Sequence, residues 1–117
     1  MSDSVLRTKS KEFAKDIVFL CRELKKRGGE GALTGQLIRC GTSVGANVHE
    51  AQYAQGTKDF VSKLEIALKE CNESEYWMEL LCETGSMLKE ELDAFRKRCI
   101  ELRRMLVSSV TTLKANQ

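Results

Sequence analysis

The sequence predicts an all-α protein, an up-and-down antiparallel four-helix bundle, and three observations carry that prediction. The 117 residues contain no proline, so nothing forbids helices of twenty residues or more. Apolar residues recur at threes and fours along four long stretches, the period of an amphipathic helix. The stretches are separated only by short glycine-bearing breaks at Gly28–Gly31, Gly56 and Gly85–Ser86, and short connections make sequential helices antiparallel neighbours. A 42% hydrophobic, 31% charged composition supports one packed core and excludes a disordered chain. The length leaves no room for a second core, so residues 1–117 form one domain.

The first helix is expected over residues 4–27. Leu6, Phe13, Ile17, Leu20, Cys21 and Leu24 form its apolar stripe, and Lys25, Lys26 and Arg27 suit the negative end of its dipole. The second, residues 33–55, carries Leu37, Gly41, Val44, Val48 and Ala51. Its Gly41 and Gly45 each cost up to about 1 kcal/mol relative to alanine inside a helix; that cost is offset if a neighbouring helix approaches closely where the side chains are missing. The third, residues 57–84, places Val61, Leu64, Leu68, Cys71, Glu75, Met78 and Cys82 on one seam, with Thr57 as its cap and Asp59 in its first turn. The fourth, residues 87–114, is defined by Leu88, Leu92, Phe95, Cys99, Leu102, Leu106, Val110 and Leu113.

Little in the sequence declares chemistry. The lone His49 has no nucleophile or Glu-x-x-His partner, and five widely spaced cysteines without a CxxC pair match neither a zinc site nor a disulfide scaffold. The expectation is therefore no enzyme, no metal, no cofactor and reduced thiols, with a cytoplasmic location. The longest N-terminal apolar run, Ile17 to Cys21, is too short to span or direct a chain to a membrane. Asn47 and Glu50 share a face of the second helix and Glu75 interrupts the seam of the third. These three are expected to meet as a hydrogen-bonded polar cluster that sets register.

Charge separates the last two helices. Residues 58–93 hold ten acids against four lysines, and residues 94–117 hold six basic residues against Glu101 alone. Three readings follow: pairing between neighbouring helices, a contact between copies, or a phosphate-facing stripe of Arg96, Lys97, Arg103 and Arg104. The adjacent Tyr76 and Trp77 point to different faces, so at least one lies outside the core and marks an interface. Surplus apolar rows on the third helix point the same way, to a homo-oligomer, and the acidic middle set against the basic last helix suggests head-to-tail contacts between copies.

Several segments resemble one known family. They are Ser10-Lys11-Glu12-Phe13-Ala14, Gln36-Leu37-Ile38-Arg39, the run from Gly41 through Asn47-Val48-His49-Glu50 to Gln52, Lys58-Asp59-Phe60, Lys63-Leu64, Ile66 to Glu70, and Glu73 to Leu81. In this order they resemble the bacterial four-helix-bundle proteins encoded in 23S rRNA intervening sequences, over nearly the whole chain. The resemblance implies a four-helix protomer, a homopentameric ring with a central channel, and no catalysis. A related branch serves as accessory factor in diversity-generating retroelements, binding nucleic acid and a reverse transcriptase through a basic surface. The expected function is thus a non-enzymatic, homo-oligomeric interaction protein; the alternative is an RNA- or DNA-binding accessory protein.

Overall fold

The computed structural model of the chain describes residues 3–116. Its order is α1 (Asp3–Lys26), α2 (Gly31–Ala51), α3 (Thr57–Glu83) and α4 (Lys89–Ala115), with no strand among the described residues. Neighbours pack as α1–α2, α2–α3, α3–α4 and α4–α1 while the diagonal pairs stay apart, which is the up-and-down bundle. The α4–α1 seam is the most sparsely packed of the four.

Glycine ends two of the helices by one mechanism. Gly28 and Gly85 have φ of 84° and 90°, a left-handed conformation that costs a side-chain-bearing residue energy. At α1, Gly28 N–H donates to Lys25 O and Gly29 N–H to Leu24 O; at α3, Gly85 N–H donates to Cys82 O and Ser86 N–H to Leu81 O. Both are Schellman caps that satisfy the last carbonyls of the helix.

The helix bounds shift at three places. α2 starts at Gly31, because the Glu30 carbonyl already accepts the Thr34 N–H. It ends at Ala51, and residues 52–56 turn towards Gly56, whose φ of 124° requires glycine. Thr57 is therefore the first helical residue of α3 rather than its cap, which is Gly56. Leu88, expected on the apolar stripe of α4, is instead its exposed N-cap, held by a bond from its N–H to Glu91 Oε1 at 2.9 Å.

The core is continuous, with Phe13, Ile17, Leu24, Leu37, Val44, Leu64, Met78, Leu81, Leu102 and Leu106 fully buried; each Leu, Ile, Phe or Met contributes roughly 1.5–3 kcal/mol. On α3 the buried stripe runs through Ala67, Glu70, Cys71, Ser74, Met78 and Leu81. Leu68, Glu75 and Cys82 sit half-buried at its edge, so the seam is rotated from the one expected. The rotation follows from α3 packing on two neighbours, α2 and α4, rather than on one.

Candidate interaction surfaces

Glu75 belongs to the α3–α4 edge. Its carboxylate accepts Arg96 Nε at 3.1 Å and a second bond from Arg103, while Arg96 also reaches Glu79 at 2.6 Å and Arg103 Nε donates to Asn72 Oδ1 at 2.8 Å. Burial works against the Arg103 charge, but the hydrogen bond and charge of Glu75 outweigh it and hold this guanidinium above its ordinary pKa. The expected Asn47–Glu50–Glu75 cluster therefore does not form. Asn47 Nδ2 donates to Ser43 O on its own helix, and Glu50 is exposed. The reason is again rotation: Glu75 points to α4, away from α2.

The basic stripe of α4 divides in the same way. Arg96 and Arg103 are held within the chain by acids and an amide of α3, whereas Lys97 and Arg104 are exposed. Unpaired cations gather instead on α1. Lys11, Lys15, Arg22, Lys25 and Lys26 all lie exposed on its outward side, and among the described residues no carboxylate pairs with any of them. The exposed Phe19 ring lies under Arg22 at 5.8 Å.

On α2 the two central glycines face α1. A Cβ on Gly41 would stand 2.8 Å from Ile17 Cγ2, and one on Gly45 would stand 3.0 Å from Ser10 O, so the backbones approach where side chains are absent. The outer side of α2 next to α1 is nearly free of charge. Ile38, Thr42, Ala46, His49 and, just past the helix, Tyr53 follow at intervals of three or four along the outside. Tyr53 is 70% exposed and stacks obliquely on His49 at 5.5 Å. Beside this face, Arg39 reaches across to Glu70 and Glu73 of α3, and Trp77 Nε1 donates to Glu73 at 3.0 Å. Trp77 is thereby half-buried, while Tyr76, edge-on to it at 5.1 Å, is 57% exposed.

All five cysteines are free thiols, four of them buried. Burial, with Cys40 nearby, pushes the Cys21 thiol up to about 11, and the hydrogen bond with Cys71 together with burial raises Cys99. These sulfurs act as small core side chains. Among the described residues no three His, Cys, Asp or Glu side chains group as metal ligands, and no helix is long and apolar enough to cross a membrane.

The family model for 23S rRNA-intervening sequence proteins matches residues 2–108. The chain belongs to that family. A crystal structure described as a protein of unknown function from the S23 ribosomal protein family of Bacteroides thetaiotaomicron is similar to this family member at 42% identity. The similarity covers 90% of this chain and 97% of that one, with a TM-score of 0.87. No curated protein matches the chain.

Three features of this family member were not anticipated from the sequence: the Arg39–Glu70–Glu73 bridge, the uncharged outer face of α2, and a cavity of about 820 Å³ at one end of the bundle. The second had a readable signal. Between Gly31 and Val48, α2 has Arg39 as its single Asp, Glu, Lys or Arg residue, which is unusual for a helix with one side in water.

Proposed function

We propose that the protein is a non-enzymatic subunit of a homo-oligomer, a pentameric ring, and that the outer face of α2 is its main contact between copies. The observation that carries this reading is the uncharged row Ile38, Thr42, Ala46, His49 and Tyr53 on a helix whose inner face is already filled by the core. Interface centres are depleted in charge and enriched in aromatic residues, and exposed Ile66 and Tyr76 on the adjoining α3 extend the apolar area. The number five is the expectation drawn from the resemblance and is part of the proposal. The charge contrast between α3 and α4 does not supply the contact, because Arg96 and Arg103 are engaged within the chain. Ala46→Arg places a charge at the middle of the row without touching the core. Light scattering should show the variant with the mass of one chain and the unaltered protein with a multiple of it; an unchanged multiple in the variant would move the interface elsewhere.

A second reading has its own observation. The five unpaired cations of α1 span Lys11 to Lys26, about 22 Å at the helical rise, and present a surface for a nucleic-acid backbone. Binding through this stripe should weaken steeply with salt, and replacing Lys11, Lys15 and Arg22 with alanine should flatten the slope more than replacing Lys97 and Arg104. Absence of retained RNA and DNA at low salt would remove this reading.

A further inference from the structure

We infer that the open end of the bundle is a binding site for a single-headed amphipathic anion, a monocarboxylate with an acyl tail. The site exists because of how the α1–α4 seam closes. Arg27–Glu91, Asp16–Arg98 and Lys9–Glu101 pair across it in turn, and Phe13 meets Phe95 edge-on beneath Arg98. Beyond Lys9–Glu101 each of the two helices is tied to its other neighbour. Arg7 Nη1 donates to Gln52 Oε1 at 2.6 Å, tying α1 to the end of α2, and Lys114 pairs with Glu65 at 2.9 Å, tying α4 to α3. The gap this leaves is the cavity of about 820 Å³, within the ~300–1,000 Å³ usual for small-molecule sites.

The lining selects the ligand. Leu6, Leu64 and Phe60 form an apolar floor, and Ser109 and Thr112 of α4 add hydroxyls. Among the described residues Arg7 is the only charged one lining the cavity, and no acid lines it. Arg7 donates to the neutral amide oxygen of Gln52, and among the described residues no carboxylate pairs with it, so the rest of its five-donor fork is open to a carboxylate. A single guanidinium matches one carboxylate better than a di- or triphosphate, and the floor has no pair of aromatic rings to sandwich a base. An acyl chain on the floor with its carboxylate at Arg7 satisfies both halves of the lining.

Dodecanoate tests the inference, with dodecanol as its uncharged counterpart, both titrated calorimetrically below micelle formation into the full chain. Dodecanoate should bind once per chain and at least tenfold more tightly than dodecanol. Arg7→Leu should abolish that preference while leaving tail binding, and Thr112→Trp, which fills the mouth from an exposed position, should abolish binding of both with the helical circular dichroism unchanged. Failure of dodecanoate to bind, including failure because a second copy covers the mouth, overturns the inference. So does equal affinity for the alcohol, or binding that neither substitution alters.

Discussion

The α1–α2 contact and the α3–α4 contact join antiparallel helices of one bundle by opposite means. Between α1 and α2 the contact is made by removing side chains: Gly41 admits Ile17 and Gly45 admits the Ser10 carbonyl. Between α3 and α4 the buried rows are edged by charge, with Glu75 and Glu79 holding Arg96 and Arg103. Steric contact fixes how close two helices lie and leaves their outer faces unconstrained. Charge pairing fixes register and occupies groups that would otherwise be open to a partner. The free surfaces accordingly fall on the α1–α2 side, as an uncharged row on α2 and unpaired cations on α1.

The largest effect should come from breaking the steric contact. Gly41→Leu drives a side chain into buried Ile17 and should cost about 3 kcal/mol in chemical denaturation. Gly35→Leu, on the same helix with nothing within 4 Å of its Cβ, should instead stabilise by up to about 1 kcal/mol through helix propensity. Similar losses at both positions would show that the closeness of α1 and α2 is not what the glycines provide.

That glycine pair also shows how far the sequence could be read. Two glycines four apart inside a proline-free helix can be recognised as close packing because their propensity cost demands a reason. The four helices were legible because apolar spacing depends on each segment alone. The rotation of α3 was not, since Leu68 and Cys71 both satisfy a three-four period, and only the positions of α2 and α4 decide that Cys71 is central and Glu75 peripheral. The partner of Glu75 and the bridge from Arg39 to Glu70 and Glu73 hang on that rotation. The end cavity depends on where α1 and α4 part, and no local pattern encodes that.

Breaking the charged contact should cost less. Glu75→Ala leaves Arg96 with Glu79 and Arg103 with Asn72, so a loss of about 1–2 kcal/mol is expected, and high salt should narrow the gap from the unaltered protein. A loss as large as that of Gly41→Leu would erase the distinction between the two contacts.

The smallest effect belongs to the exposed end of the α1–α4 seam, and it depends on pH. The bidentate hydrogen bond from Arg27, opposed by burial and aided by the Leu88 N–H, holds the Glu91 carboxyl below its ordinary range. An unfolded Glu titrates near 4.3, so the unfolded chain binds more protons in the window below that value. The contribution is fully present above about pH 4.3 and is lost as pH falls through the lower folded value. Arg27→Ala should lower the melting temperature slightly at pH 7 and converge with the unaltered protein in acid. A gap that persists unchanged at low pH would mean Arg27 acts by packing alone.

The inner contacts complete the bundle, and the proposed role of the outer face of α2 is to join copies of it. Native mass spectrometry of the unaltered chain over a range of concentrations tests this most directly. A species of five times the mass of one chain is expected, and the mass of a single chain at every concentration would refute the proposed contact between copies.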